Sequence, residues 1–213
     1  TVMTSSCPDS PIIDVGVLGS INEDTIEHAD GRIDHSLGGV LFTACALGRL
    51  GAGRLRVWLL AKAHRSMLIH LRQRLVDIPD LRLEGLLEIP QPGYRCHITY
   101  DQHGEKTEVL CGDVEPLTLD ELAPVLPRLQ ALVVNFITGY EIRRETLAAV
   151  RTQLAGPVFM DLHSLTLGRS ADGTRFPEPT VDIDKWLALA DVVQMNESEA
   201  RILGAHTHCQ DSL

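Results

Sequence analysis

The sequence predicts an α/β fold: a mostly parallel sheet covered by helices on both faces, with a small separate β-sheet. Three observations carry that prediction. Short apolar runs rich in Val, Ile and Leu recur at 12–18, 55–61, 131–135 and 158–161, with the length of buried strands rather than helices. From residue 40 onward they alternate with segments whose apolar residues fall at helical spacing, the pattern of a parallel sheet wound through crossover helices. Two turn signals, Asp30-Gly31 and Asp101-Gln102-His103-Gly104, each lie between strand-forming runs, as in hairpins.

In chain order, residues 1–11 are small and polar and are expected to form a flexible leader. The first core strand follows at 12–18, then a hairpin with arms at 25–29 and 32–36. Gly38-Gly39 opens a helix over 40–50, with Val40, Ala44, Leu47 and Leu50 on one face and Gly51 as its stop. A second strand at 55–61 precedes an amphipathic helix at 64–76 carrying Met67, Leu68, Leu71 and Leu75, and a third strand is expected at 81–87. The second hairpin has arms at 94–100 and 106–111, whose partial alternation gives it one covered face, so the two hairpins can share a small sheet.

Beyond Pro116 the order is regular. Thr118 and Glu121 form a capping box for a helix to about 127, followed by strand 131–135, helix 141–154 and strand 158–161. A loop with Gly168 and Gly173, helix 183–189, strand 191–195 and helix 197–203 complete the pattern. Trp58 and Trp186 lie in apolar elements and read as core. Residues 12–213 are thus expected to form one α/β domain.

Composition narrows the function classes. The 213 residues are 44% hydrophobic and 23% charged, and no run approaches the roughly 18 apolar residues of a membrane-spanning helix, so no membrane partner is expected. Nineteen basic against 29 acidic residues give a net charge of −10, which repels a polyanion and argues against nucleic acid as a partner. Five cysteines without a CxxC pair, and no basic-then-apolar start, fit a reducing cytoplasm.

Three short segments are candidates for chemistry. Gly19-Ser20-Ile21-Asn22-Glu23-Asp24 leaves the first strand where ligands of open α/β folds bind, and an ionised Asp24 could accept hydrogen bonds from two neighbouring hydroxyls of a polyol. Asn22 and Asp24 fit Asx turns equally well. Gly38-Gly39 allows close backbone approach to a ligand, or marks only a turn. Asn196-Glu197-Ser198-Glu199 opens a helix, where Glu199 could reach a hydrated magnesium ion, yet Asn followed three residues later by Glu is also a plain capping pattern.

Their order and context resemble the ribokinase-like (PfkB) family of carbohydrate kinases over residues 12–205. The resemblance rests on residues 19–24, on Asp30-Gly31-Arg32 before Leu37-Gly38-Gly39, on Ala46-Leu47-Gly48-Arg49-Leu50-Gly51-Ala52, and on Asn196-x-x-Glu199-Ala200. It implies a three-layer α/β/α fold with a β-sheet lid, whose strands would fall within about 20–36 and 92–112 and which often dimerises. It further implies ATP-dependent phosphoryl transfer, with Mg²⁺, to a hydroxyl of a sugar or nucleoside. Asn22, Asp24, Gly38 and Gly39 would then bind substrate, while Asn196 and Glu199 would organise magnesium and phosphate. The alternative is a noncatalytic sugar-binding or dimerising module built on the same fold.

The departures are equally specific. Phe42-Thr43 stand where the family usually has an Asn, and Ala63-His64-Arg65 where it often has Gly-x-Asp, so familiar sugar specificities do not transfer. Family members usually continue through a Gly-Ala-Gly-Asp segment that supplies an anion hole and the general base. Gly51-Ala52-Gly53 is a helix cap rather than that segment. The C-terminal portion of the fold is therefore expected to be missing, and no catalytic residue is identified. This chain alone is expected to be nearly inactive, to lack a nucleotide pocket, and to self-associate as a homodimer through the lid or an exposed sheet edge.

Outside these segments, Asp161 and His163 at a strand end are further candidates facing the crevice. A Ser-His-Asp hydrolase using Ser164 lacks the Gly-x-Ser-x-Gly elbow. His206, His208 and Cys209 have metal-ligand chemistry but number fewer than the four ligands of a structural site, and no metal is assigned. Arg143-Arg144, between Glu141 and Glu145, read as a solvated helix face.

Overall fold

The computed structural model describes residues 11–204. The leader up to residue 10 and the His206, His208 and Cys209 group lie outside the described residues.

The chain runs through strands β1 (Ile13–Leu18), β2 (Ile21–Glu27) and β3 (Ile33–Gly39), helix α1 (Val40–Leu50), strand β4 (Leu55–His64) and helix α2 (Arg65–Arg74). Strands β5 (Leu81–Arg82), β6 (Leu86–Ile89), β7 (Tyr94–Tyr100) and β8 (Lys106–Cys111) and helix α3 (Leu119–Leu122) follow. Then come β9 (Ala131–Asn135), α4 (Arg144–Gln153), β10 (Val158–Asp161), the short hairpin β11 (Leu167–Arg169) and β12 (Arg175–Pro177), α5 (Ile183–Leu187), β13 (Val192–Gln194) and α6 (Glu197–Gly204). No described helix is long and apolar enough to cross a membrane.

The central sheet has the order β13-β10-β9-β1-β4-β5, with β6 also pairing β4, and all its pairings are parallel. Alternate residues feed two cores. Val15, Val17, Val57 and Leu59 pack beneath α1 and α2, while Leu132, Val134, Val158 and Met160 pack against Leu147 and Val150 of α4 and Leu203 of α6. Leu147 is fully buried, which contributes about 1.5–3 kcal/mol. Trp58 is core, and Trp186 packs edge-on against Phe136 at the margin of the second cluster.

On the α1/α2 face the cover stops short. Val133, Phe159 and Val192 lie side by side across β9, β10 and β13, and Phe159 and Val192 are 39% and 49% exposed. The expected two-sided cover is therefore incomplete at the β13 end among the described residues.

A second sheet of order β3-β2-β7-β8 stands beside the carboxyl ends of the central strands. Both hairpins join it, with β2 and β7 running parallel and the other pairs antiparallel. Its covered face carries Tyr94, Cys96 and Leu110, packed with Ile89 and Val114. The β11–β12 hairpin ties this sheet to the rest, through the Leu110 amide donating to the Gly173 carbonyl at 2.9 Å and the Arg169 guanidinium donating to the Gly112 carbonyl at 3.0 Å.

Several sequence expectations need correction. The strand expected at 81–87 is two short ones, because the chain bends so that Gly85 presses on the backbone of Leu59, where a Cβ would come within 2.6 Å of its carbonyl oxygen. The helix expected from 118 to 127 is a single capped turn at Leu119–Leu122 followed by a 3₁₀ turn at Leu126–Arg128, with Pro127 in its first positions. The helix expected from 141 starts at Arg144, because Glu141 is drawn into the interior as an acceptor for Thr138 and Gly139. The loop after β10 contains a 3₁₀ turn and the β11–β12 hairpin.

Candidate functional site

The residues that end the central strands form a polar row. Ser20 follows β1, Asn135 ends β9, Asp161 ends β10, and Asn196 follows β13. Parallel strands all deliver their carboxyl ends to one rim, and that rim is where open α/β sheets bind ligands.

Asn22 and Asp24 lie within β2, not in Asx turns, because β2 begins at Ile21. Alternation sends both to one face of the four-stranded sheet, opposite Gly38 and Ser36 of β3. The Asp24 carboxylate lies over Gly38, where a Cβ would overlap its Oδ2. None of the hydrogen bonds among the described residues uses this carboxylate, and burial, with the charge of Glu108 adding to it, pushes its pKa up from 3.8 to about 6. Asn22 is buried and its Oδ1 has no partner. Gly39 adopts φ 72° as the cap of α1, and a Cβ there would strike the Ser20 carbonyl. Close packing on Ser20 accounts for this glycine without a ligand.

Asn196 and Glu199 form a reciprocal cap at the start of α6. The Asn196 amide nitrogen donates to Glu199 Oε2 at 2.8 Å, Asn196 Nδ2 donates to Oε1 at 2.5 Å, and the Glu199 amide donates to Asn196 Oδ1 at 2.9 Å. The plain capping pattern is thus present in full. Glu199 is nonetheless tied to the strand ends, since His163 Nδ1 lies 3.3 Å from its Oε1. Asn135 Nδ2 donates to Asp161 Oδ2 at 3.2 Å, and burial, then the charge of Glu199, push the Asp161 pKa up against the pull of His163.

Glu108 of β8 joins the two halves. It faces Asp24 across the small sheet and lines a cleft with Lys106, His163, Arg175, Asn196 and Glu199. Burial works against the Glu108 carboxylate, but the Lys106 ammonium at 2.9 Å outweighs it and holds its pKa below the usual carboxylate range. Burial also pushes the Cys96 thiol far up, so it is a neutral wall of the site.

Sequence reading missed Asn135, Glu108 and Arg175. A polar residue closing an apolar strand run was the available signal for Asn135. Glu108 and Arg175 lie in hairpins whose partners only the fold supplies. Glu141, expected as the first residue of a helix, is buried ahead of it; its carboxylate accepts from the Thr138 amide at 2.6 Å and hydroxyl at 2.8 Å and from the Gly139 amide at 3.0 Å, while burial pushes its pKa up. Of the two arginines beside it, Arg143 is exposed, while Arg144 is bound to Asp182 and Glu145. Phe42, where the resemblance places an Asn, is 66% exposed on α1, and His64 caps α2 through its side chain.

The residues present do not by themselves make a magnesium site. Among the described residues no group of three or more His, Cys, Asp and Glu side chains could hold a metal, and both Glu199 oxygens are already engaged. Magnesium typically keeps several waters and takes one or two carboxylates plus phosphates; of the rim carboxylates, Asp161 accepts from Asn135 Nδ2 and from the His163 backbone.

No family model matches the sequence, and the comparison with curated proteins gives no significant match. Solved structures do match. A pyrophosphate-dependent kinase in the ribokinase family, complexed with a pyrophosphate analog and myo-inositol, is similar with a TM-score of 0.73 at 16% identity over 91% of this chain and 64% of its own. Ribokinase from Thermotoga maritima gives 0.65 at 17% over 92% and 63%. A Burkholderia thailandensis nucleoside kinase in complex with inosine gives 0.63 at 15% over 93% and 65%. The chain has the ribokinase-like α/β fold over most of its length, and spans less than two thirds of the length of these proteins.

Proposed function

We propose that this chain is the acceptor-binding part of a kinase that transfers a phosphoryl group to a hydroxyl of a sugar, polyol or nucleoside. The observation that carries this reading is the Asp24 carboxylate, half-buried, unused by any hydrogen bond among the described residues and lying over Gly38, in the small sheet whose strand β8 shares a cleft with Asn196 of the rim. An ionised carboxylate in that position accepts from two adjacent hydroxyls and fixes which face of the acceptor meets the rim. The four-stranded sheet closes one side of the cleft and keeps water from the transferring group. Asn196 and Glu199 hold the start of α6 beside His163 and Asp161, at the phosphate end of the cleft.

The donor is a phosphoanhydride. ATP with Mg²⁺ is what the resemblance implies, and a pyrophosphate-dependent structure among the similar ones makes pyrophosphate the second candidate. No described residue is assigned as the general base, whose loss alone costs about 10²–10⁴ in rate, so binding is the activity to test in this chain. Calorimetry of the purified chain against neutral sugars, inositol and nucleosides should show binding that Asp24→Asn removes. Binding by the variant equal to that of the parent chain would overturn the reading.

The exposed pair Phe159 and Val192, on β10 and the edge strand β13, extends the proposal to assembly, with a second copy of the chain as the partner that covers it.

A further inference from the structure

Helices α1 and α2 form a basic face on a molecule of net charge −10. They carry Arg49, Arg65, Arg72 and Arg74 and no Asp or Glu, whereas each of the other described α-helices carries at least one acid. Between them runs a groove of about 400 Å³, with Leu37 of β3 at its margin. Leu41, Leu71 and Leu75 are buried and form its floor, while Phe42, Ala46 and Arg49 stand exposed around it. Leu41, Cys45 and Arg49 are spaced by four residues, so one face of α1 makes a wall about 12 Å long. Seven of the nine lining residues are apolar, and the other two are Arg49 and Arg74. The arginine ion pairs of the described residues engage Arg32, Arg56, Arg143, Arg144, Arg151 and Arg201 and leave both of these out. Arg74 also borders a second, polar groove with Glu23 and Arg95, whereas the charge of Arg49 acts on the Cys45 thiol, which lines this one.

An apolar floor with an unpaired, solvent-reachable guanidinium at its edge complements a ligand of matching halves, an apolar tail ended by an anion. The volume is that of a small-molecule site. Nine lining residues are too few for a partner protein, whose footprint takes about 20–30 a side. A carboxylate is the anion whose two oxygens match the guanidinium fork. We propose that the groove between α1 and α2 binds an aliphatic carboxylate of medium chain length, with its tail on the leucine floor and its carboxylate on Arg49. The inference is independent of the kinase reading, because the groove shares no side chain with Asp24 or with the strand-end rim.

The test is calorimetry of the full chain with octanoate, hexanoate, octanol and octylammonium. Octanoate should bind roughly tenfold tighter than hexanoate, because two more methylenes are buried, and tighter than octanol or octylammonium. Arg49→Gln should weaken octanoate about tenfold and leave octanol unchanged, while Arg49→Lys should recover part of the loss. Ala46→Trp, whose ring fills the groove from an exposed helix position, should abolish binding. Both positions are exposed, so neither change disturbs the core. Octanoate should also slow alkylation of Cys45 by iodoacetamide, read residue by residue by mass spectrometry, with the exposed Cys111 unaffected. No octanoate binding, equal binding of octanoate and octanol, unchanged octanoate affinity in Arg49→Gln, or an unprotected Cys45 overturns the proposal. Binding of phosphatidylglycerol vesicles without binding of octanoate overturns it as well, and makes this face a membrane-docking surface instead.

Discussion

The Asp24 carboxylate occupies the space where residue 38 would carry a Cβ, so Gly38 is required by its cross-sheet neighbour rather than by a turn. The two positions should therefore be coupled. Gly38→Ala should destabilise the chain by about 1–3 kcal/mol, the usual cost of overpacking, and abolish polyol binding. The double variant Asp24→Ala/Gly38→Ala should be more stable than the sum of the two single changes, read by urea unfolding. Strict additivity would place the carboxylate elsewhere.

Acceptor binding should depend on pH through Asp24. With its pKa raised to about 6, the carboxylate is mostly ionised at pH 7 and roughly one-tenth ionised at pH 5, so polyol affinity should fall about tenfold between them. Stability runs the other way. A raised folded pKa means the native state holds the proton more tightly than the unfolded chain, so this group's contribution is present below pH 3.8 and declines as pH rises through about 6. Asp24→Asn should flatten both profiles over that window.

Glu141 should be a stability residue. Its fully buried carboxylate satisfies two amides and a hydroxyl of the 138–139 turn. Glu141→Ala leaves those donors buried and unpaired, at roughly 1–3 kcal/mol for each unsatisfied group, whereas Glu141→Gln keeps part of the acceptor set. Denaturant midpoints should rank parent, Gln, Ala in falling order with unchanged slopes.

The cap of α6 is expected to be worth about 1 kcal/mol. Asn196→Ala removes the side-chain bonds to Glu199 in both directions. Thermal unfolding should show that loss, and hydrogen exchange should show it concentrated in residues 197–204.

Self-association is expected through the bare end of the sheet. Sedimentation at micromolar concentration should show a dimer, and Val192→Lys, which puts a charge into the exposed Phe159–Val192 row, should shift it to monomer. A parent chain that sediments as a strict monomer would remove the proposed interface.

Much of this molecule was legible without coordinates, for a common reason: local periodicity and capping depend on neighbours in sequence. The apolar runs at 131–135 and 158–161 are strands at those bounds, the 40–50 segment is α1, and Thr118 with Glu121 forms the expected capping box. The order of strands and helices follows from the same signals. Only the tertiary structure decided the rest, because the site is assembled from partners far apart in sequence. Whether Asn22 and Asp24 lie in a turn or in a strand was fixed by where β3 pairs with β2. Glu141 was pulled off its helix by the unsatisfied amides of Thr138 and Gly139. Arg175 acquired its burial from a hairpin pinned to β8 across more than sixty positions of sequence. A buried charge gets its meaning from what surrounds it, and a linear pattern does not contain those surroundings.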